Sequence, residues 1–290
     1  MSVAHPIIAV TGSSGAGTST VKQTFEHLFQ QLNIKPIMVQ GDSFHRYDRV
    51  AMRAASIAAL TNGQNLTHFG PEANCLERLE SLFQSYAENG SGESRHYVHD
   101  EAEANQFACP EGTFTAWQPL AADSDLLFYE GLHGAAVIDD IDIAQYPDLL
   151  IGIAPVINLE WMQKIQRDCL NRGYSQDAVV DIISQRVPDY IRYITPQFSR
   201  THINFQRIPL VDIADPFAAK ALPAAKHTLC VISFTDRWAK HIVDNLSQIK
   251  DAFASNSHNV VVPGELMAEA MAVFIMPIIK EMLAKKRQLS

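Results

Sequence analysis

The chain has little of what marks a secreted or metal-stapled protein. Only four of its 290 residues are cysteine, and they are scattered, with no Cys-x-x-Cys pair and no histidine cluster at zinc spacing. Such a pattern is typical of reduced thiols and argues against a disulfide framework. No basic segment followed by a long apolar stretch opens the chain. We therefore expect no signal peptide and a cytoplasmic location.

Excess positive charge and long apolar runs are also lacking. The 23 Lys and Arg residues are outnumbered by 32 Asp and Glu residues, and the formal net charge is −9. A general nucleic-acid surface is therefore not expected. Apolar runs such as residues 149–154 fall well short of a membrane span. We expect neither a nucleic-acid partner nor membrane attachment.

What is present fits one globular enzyme-sized unit. A content of 47% hydrophobic and 19% charged residues over 290 positions is enough for one large α/β domain. No internal repeat, linker or low-complexity segment divides the chain. We predict a single domain over residues 1–290.

The strongest motif is a glycine-rich stretch that lies between an apolar run and a helical pattern. Its residues are Gly12, Ser13, Ser14, Gly15, Ala16, Gly17, Thr18, Ser19 and Thr20. Glycines let successive backbone N–H groups turn toward an anion, and the helix start adds its positive dipole end. The spacing matches the phosphate-binding loop Gly-x-x-x-x-Gly-Lys-Ser/Thr, except that Thr18 stands at the lysine position. The stretch predicts a nucleotide site with Ser19 as a magnesium ligand; a glycine-rich surface turn is the alternative.

The segment after the second predicted strand combines an acid with cations. Apolar spacing predicts a helix over residues 21–32 and a strand over 36–40, which form a βαβ unit with a parallel strand pair. Ligands of open parallel sheets lie at the carboxyl ends of the strands. Asp42 is therefore a candidate base for a hydroxyl that attacks the γ-phosphate, with His45, Arg46 and Arg49 binding an anionic acceptor. A helix cap at Asp42 remains equally open.

Two further segments carry candidate site residues. Residues 126–131 form an apolar run that ends in Glu130 and a glycine, the form of a strand end whose acid helps to hold a metal on the β- and γ-phosphates. Residues 94–100 include Tyr97 and His99, which line a substrate pocket in one interpretation and belong to an exposed strand pair in the other. We also predict later strands at 208–213 and 228–234. His27 and His68 carry no motif and are assigned no function.

A helix predicted over residues 158–173, with Asn158 as N-cap and Gly173 just past its end, presents charges on one face. Lys164, Arg167 and Asp168 share that face. A cationic face is usually solvated. In a chain whose glycine loop lacks its lysine, a mobile cationic helix that closes over the triphosphate is the functional interpretation.

Taken together, these segments resemble the bacterial type of phosphoribulokinase within the phosphoribulokinase and uridine kinase group. The resemblance covers nearly the whole chain, and the threonine at the lysine position of the loop is itself a trait of that family. The similar segments are residues 10–20, 41–46, 127–134, 155–161, 195–199 and 203–207.

The resemblance implies a P-loop NTPase-like α/β fold, three layers α/β/α, with a mostly parallel central sheet and antiparallel edge strands. It implies transfer of phosphate from ATP, with Mg²⁺, to the primary hydroxyl of D-ribulose 5-phosphate. In that scheme Asp42 is the base, Glu130 and Ser19 serve the metal, His45 and Arg49 hold the sugar phosphate, and a lid over about 158–173 supplies Lys164, Arg167 and Asp168. It also suggests a homo-oligomer.

Departures from the family pattern concern regulation. The bacterial family is typically activated by NADH through arginines at subunit interfaces, but residues 30–31, 234–240 and 255–258 do not follow the usual pattern. NADH control is therefore an open question for this chain. Two alternative functions remain open: a uridine or other nucleoside kinase, and an ATP-binding sensor without catalysis.

Overall fold

Strands and helices alternate along the first two thirds of the chain, and antiparallel strands follow. A computed structural model describes residues 4–13, 18–154, 156–218 and 221–288. The elements are, in chain order, β1 (Ile7–Thr11), α1 (Thr18–Gln31), β2 (Pro36–Gln40), α2 (Arg49–Thr61), α3 (Leu76–Asn89), β3 (Glu93–Ser94), α4 (Glu101–Phe107), β4 (Gln118–Pro119), β5 (Leu126–Gly131), β6 (Val137–Ile138), β7 (Ile141–Asp142), β8 (Leu149–Ala154), α5 (Ile157–Arg172), α6 (Gln176–Asp189), β9 (Ile203–Pro209), β10 (Thr228–Phe234), α7 (Asp236–Asn245), β11 (Phe253–Asn256), β12 (Asn259–Pro263) and α8 (Met267–Arg287).

Eight of the strands form one sheet in the order β11-β12-β10-β9-β8-β1-β5-β2. The five strands from β9 to β2 are parallel, and β10, β12 and β11 continue the sheet in antiparallel pairing. Parallel strands are covered on both faces and therefore read as continuous apolar runs, as β1 and β8 do. The predicted mostly parallel sheet with antiparallel edge strands is confirmed.

Alternate residues of the central strands pack into two separate cores. On one face Ile8 and Val10 of β1 pack with α1, α7 and α8. On the other face Ile7 and Ala9 pack with α3 and with the segment around Ile143. Because strand side chains alternate between the faces, one strand supplies both cores. This gives the three layers, with helices on both sides of the sheet.

The order of the central strands corrects one expectation. β1 and β2 are parallel and flank α1, but β5 lies between them and pairs with both. Handedness and direction of a βαβ unit follow from local geometry, whereas adjacency depends on which later strand enters the sheet. The insertion brings the ends of β1, β5 and β2 side by side at one edge.

Other boundaries also differ from the sequence expectation. The strand predicted at 208–213 is wrong, because the strand is β9 and it ends at Pro209. The helix predicted over 158–173 spans Ile157–Arg172, with Val156 as N-cap and Gly173 in the left-handed conformation at φ 71°. Asn158 lies within the first turn of this helix, and its side chain donates to the Ile213 carbonyl at 3.0 Å, so Asn158 is not the N-cap. No helix in the described ranges is long and apolar enough to cross a membrane.

Candidate active site

Glycines bring the carboxyl ends of the central strands into close contact. A β-carbon added at Gly131, which ends β5, would lie 2.6 Å from the Cα of Gly41, which follows β2. At Gly12, which follows β1, an added β-carbon would lie 3.1 Å from the Cβ of Ile153. The Gly12 amide donates to the Gly131 carbonyl at 3.2 Å. Only glycine fits at the first contact, and the result is that Asp42 and Glu130 sit on adjacent strand ends.

Asp42 lies in a short 3-10 turn, Gly41–Phe44, directly after β2. Two imidazoles approach its carboxylate: Nε2 of His45 is 3.5 Å from Oδ1, and Nε2 of His99 is 3.8 Å from Oδ2. The capping alternative for Asp42 is wrong, because the cap of α2 is Asp48, whose carboxylate accepts from the Ala51 amide at 2.7 Å. Asp42 is thus a partly exposed carboxylate with no helix to cap, set between two histidines.

His45 belongs to a group of neutral imidazoles, of which His45 and His133 are buried and His68 is half-buried. His45 is 7% exposed, and its ring stacks on that of His68 with centroids 4.1 Å apart. Burial lowers the pKa of His45 to about 3, with further lowering by the nearby His133 and His99. Burial likewise lowers the pKa of His68 to about 2 and that of His133 to about 4. At neutral pH these rings are hydrogen-bonding groups and not cations.

His68 is a residue that sequence reasoning missed, since it was assigned no function. It lies in the segment between α2 and α3, where no apolar period or motif distinguishes it. Its neighbour Phe69 accepts a hydrogen bond from His133 Nε2 at 3.0 Å through its carbonyl oxygen. That bond and the stack on His45 place the segment against the site. Only the three-dimensional packing identifies it.

The cations near Asp42 are held by specific partners. Arg49 pairs with Glu111 and donates to the His99 carbonyl at 2.9 Å. Tyr97 stands edge-on to His99, with ring centroids 4.8 Å apart. The predicted residues His45, Arg49, Tyr97 and His99 are therefore brought together. The Tyr97 segment is also paired with a second segment, although β3 itself ends at Ser94. An antiparallel bridge joins Tyr97 to Phe114, and backbone hydrogen bonds join residues 96–98 to 112–115.

Arg46, in contrast, does not face this group. Its guanidinium donates to the Asn74 carbonyl at 2.8 Å and lies 3.4 Å from Glu77 at the start of α3. The sequence expectation that Arg46 joins His45 and Arg49 on an anionic acceptor is wrong for this arrangement. Successive residues of a turn point in different directions, and here packing of α3 turns this one away.

The charged face of α5 forms a closed ion-pair group. Asp168 is 3% exposed and pairs with Lys164 one turn away, while Arg167 Nε lies 2.9 Å from its Oδ1. Burial alone would raise the pKa of the Asp168 carboxyl, but hydrogen bonds from Lys164 and Arg167 outweigh it and keep the pKa below its ordinary value. Burial lowers the pKa of Lys164. The predicted common face is confirmed, and one buried carboxylate holds both cations.

A second buried carboxylate connects α5 to the end of α6. Burial raises the pKa of Glu160, and the Tyr190 hydroxyl opposes that effect. This hydroxyl donates to Glu160 Oε2 at 3.1 Å. The first turn of α5 is thereby linked to the end of α6.

Gln197 joins the loop strands at the back of the site. It is 1% exposed, and its Oε1 accepts from the Thr11 hydroxyl at 2.9 Å and from the Ala135 amide at 3.1 Å. Its Nε2 donates to the carbonyls of Leu132 and Tyr193 at 2.8 and 2.9 Å. All four hydrogen-bonding positions of one buried amide are used, and the ends of β1 and β5 are fixed relative to each other.

The predicted phosphate loop is described only in part. Gly12 and Ser13 follow the end of β1, and α1 begins with the backbone of Thr18, Ser19 and Thr20. Ser14, Gly15, Ala16 and Gly17 lie outside the described residues, as does the side chain of the predicted metal ligand Ser19. What is described matches the predicted context of strand, loop and helix.

The donor set fits magnesium bound mainly through phosphate. No group of three or more His, Cys, Asp or Glu side chains capable of caging a metal occurs among the described residues. Mg²⁺ is usually held by one or two carboxylates together with substrate phosphates and water. Glu130, at the end of β5 beside the glycine loop, is a carboxylate in the expected place.

Comparisons with known proteins agree with these features. The model of the phosphoribulokinase / uridine kinase family matches residues 7–214. The chain is 50% identical to the chromosomal phosphoribulokinase of Cupriavidus necator over 289 residues, an alignment that covers 99% of each chain. It is also 50% identical to the phosphoribulokinase of Sinorhizobium medicae over 290 residues, an alignment that covers 100% of each chain. The solved phosphoribulokinase from Rhodobacter spheroides superposes with a TM-score of 0.90 at 42% identity, over 99% of this chain and 100% of that one.

Proposed function

The chain belongs to the phosphoribulokinase and uridine kinase family, and from this premise we propose that it transfers the γ-phosphoryl group of ATP to the primary hydroxyl of D-ribulose 5-phosphate. The products are ribulose 1,5-bisphosphate and ADP. Support comes from full-length similarity at 50% identity to relatives that are named phosphoribulokinase. The same support extends over both the glycine loop and the acceptor side of the site.

The observation that carries the proposal is the placement of Asp42. Its carboxylate lies between His45 and His99, at the strand edge where the glycine loop begins. A carboxylate in this position accepts the proton of the attacking hydroxyl as the O–P bond forms. Burial keeps the His45 ring neutral because it lowers its pKa, and the imidazoles of His45 and His99 provide hydrogen-bonding groups for the acceptor.

The acceptor pocket is assigned to His45, Arg49, Tyr97 and His99. Arg49 supplies the permanent positive charge, and its contacts with Glu111 and the His99 carbonyl hold the guanidinium beside His99. The histidines and the tyrosine supply hydrogen bonds to sugar hydroxyls and phosphate oxygens. A pocket of this composition suits a small phosphorylated sugar.

The nucleotide is assigned to the glycine loop, and Mg²⁺ to Glu130 together with Ser19. The ion would neutralise charge on the β- and γ-phosphates. Lys164 and Arg167 take the place of the missing loop lysine when α5 moves over the triphosphate, and Asp168 keeps both cations oriented before that movement. The transition state of phosphoryl transfer is loose, so positioning and charge compensation are the main requirements.

A uridine or other nucleoside kinase is the alternative within the same family. A nucleoside acceptor carries no phosphate and needs aromatic and amide contacts, whereas the Asp42 pocket holds Arg49 and a group of histidines. The discriminating feature is thus Arg49 with His45 and His99, without Arg46. A non-catalytic ATP sensor is disfavoured because the chain contains all of the proposed catalytic residues, Asp42, Lys164, Arg167 and Asp168.

The test is ADP release from purified protein with Mg-ATP, comparing ribulose 5-phosphate with uridine, for the wild type and for Asp42→Asn. We expect turnover on the sugar phosphate and a fall of several orders of magnitude in the variant. Turnover on uridine alone would move the assignment to nucleoside kinases. ATP binding with no turnover on either acceptor would favour the sensor. Addition of NADH to the wild type tests whether the family's typical activator acts here.

The proposal includes a cytoplasmic homo-oligomer, for which family similarity is the support. Sedimentation of the purified chain measures the number of subunits.

A further inference from the structure

The side chain of Arg95 reaches back to the turn that carries Asp42. Its Nε donates to the Ser43 carbonyl at 2.8 Å, and its Nη2 donates to the His45 carbonyl at 2.6 Å. These two carbonyls belong to the residues on either side of Phe44. A guanidinium has parallel donors in a fixed fork, so it fits such a pair of carbonyls.

Arg95 completes the hydrogen bonding of the turn. The turn has four consecutive backbone carbonyls, from Asp42 to His45. The Asp42 carbonyl accepts a hydrogen bond from the His45 amide at 3.2 Å. The Phe44 carbonyl accepts from the Cys75 amide at 2.7 Å. The other two are the acceptors of Arg95, which among the described residues is the only side chain that binds them. The turn is therefore held by its own backbone, by the start of α3 and by this one guanidinium.

The guanidinium is itself held in place by aromatic rings. Its Cζ lies 3.6 Å from the centroid of Phe114 and 4.6 Å from that of Trp117. Trp117 also packs edge-on against Phe44, with centroids 5.5 Å apart. Because the rings, the cation and the turn contact one another, the orientation of the fork is determined before any substrate binds.

We propose that Arg95 is a positioning residue for phosphoryl transfer, which sets the place of the Asp42 carboxylate by binding the carbonyls of Ser43 and His45. The kinetic part of this inference rests on the function proposed above. The structure assigns Arg95 to the turn and not to the sugar phosphate, since its Nε and Nη2 donate to the turn and the rings of Phe114 and Trp117 lie against its guanidinium.

Arg95→Lys is the sharpest test, because it keeps the positive charge and the stem but removes the fork. We expect kcat with ribulose 5-phosphate to fall by about 100-fold, as for a displacement of about 1 Å at a reacting group, while KM for ATP stays within about twofold. Arg78→Lys is the matched control, since Arg78 also stacks on Trp117, at 4.6 Å, and no hydrogen bond among the described residues joins its side chain to the turn. It should leave kcat near the wild-type value.

Amide hydrogen exchange supplies a readout that does not depend on activity. A peptide over residues 41–46 should exchange faster in Arg95→Lys than in the wild type or in Arg78→Lys, with peptides from β1, β5 and β8 unchanged. Arg95→Gln, whose uncharged amide is too short to reach both carbonyls, should give at least as large an effect in both measurements.

Several results would overturn the inference. An unchanged kcat, or a raised KM for ribulose 5-phosphate with unchanged kcat, would make Arg95 dispensable or a substrate ligand. Faster exchange throughout the protein, or failure of both variants to fold, would make it a general stability residue. If the wild type does not phosphorylate ribulose 5-phosphate, the proposed function fails, and the exchange of residues 41–46 still decides whether Arg95 holds the turn.

Discussion

Acidification should destabilise the protein mainly through the buried imidazoles beside Asp42. The ordinary pKa of histidine is 6.5, and burial lowers the pKa to about 3 for His45, about 2 for His68 and about 4 for His133. In the unfolded chain these rings take up protons as the pH falls below 6.5, whereas in the folded protein they stay neutral. The stability that they contribute is therefore fully present above pH 6.5 and is lost as the pH falls toward the folded pKa values.

The size of this loss follows from proton linkage. Between pH 7 and pH 5, each imidazole that is neutral when folded costs about 2 kcal/mol, so the three together cost roughly 6 kcal/mol. Other groups act over the same range. Burial lowers the pKa of His202 to about 4 and also lowers the pKa of His5 and of His241, which adds to the loss. Burial raises the pKa of Asp148 to about 6, which opposes it. The free energy of unfolding of a typical domain is about 5–15 kcal/mol in total.

His68→Phe isolates one of these contributions, because a phenyl ring keeps the stack on His45 and cannot take up a proton. Arg186 and the other two imidazoles push the pKa of His68 down, and Asp42 opposes them without overcoming burial. Urea unfolding at pH 7, 6 and 5 gives the free energy of unfolding at each pH. The variant should lose about 2 kcal/mol less than the wild type between pH 7 and pH 5. His27→Phe, at an exposed position on α1, should leave the wild-type pH dependence unchanged. An identical pH dependence in His68→Phe and the wild type would refute the neutral state of His68.

Two further substitutions test the framework of the site. Gly131→Ala places a β-carbon 2.6 Å from the Cα of Gly41, which cannot yield without moving the turn of Asp42. The free energy of unfolding should therefore fall by about 1–3 kcal/mol, and kcat should fall as well. Gly134→Ala is the milder control, because its added carbon first meets the Tyr129 ring at 3.2 Å, and equal effects of the two substitutions would contradict this account. Gln197→Leu leaves the Ala135 amide and the Tyr193 carbonyl without their partner, so the free energy of unfolding should fall by at least about 2 kcal/mol. Gln197→Glu keeps the acceptor but turns a carboxylate oxygen toward the Leu132 and Tyr193 carbonyls, so it should be no less destabilising; an unchanged urea midpoint in Gln197→Leu would argue against the role of this amide.

Much of the site was predictable because its residues stand at the ends of apolar runs. An apolar run that ends in a polar residue and a glycine indicates a buried parallel strand, and such strands present their carboxyl ends at one edge. Asp42 after β2 and Glu130 at the end of β5 were identified in this way. The face of α5 that carries Lys164, Arg167 and Asp168 followed from helical spacing, and its ion pairs agree with it.

The direction of individual side chains was not predictable in the same way. Arg46 was expected to join His45 and Arg49, but it binds Asn74 and Glu77 instead. His68 was assigned nothing, and it stacks on His45. In both cases the partner lies more than twenty positions away along the chain, and no local period records such a contact.

The sequence by itself determined the class of fold, the family and the strand ends that carry Asp42 and Glu130. Each of these depends on burial and backbone conformation within a short segment, which local spacing and composition record. Only the tertiary structure decided that β5 enters between β1 and β2, that three imidazoles become neutral beside Asp42 and that Arg95 binds the turn. These outcomes depend on packing between distant segments, where the free energy of removing charge and apolar surface from water is set by neighbours that the local sequence does not specify.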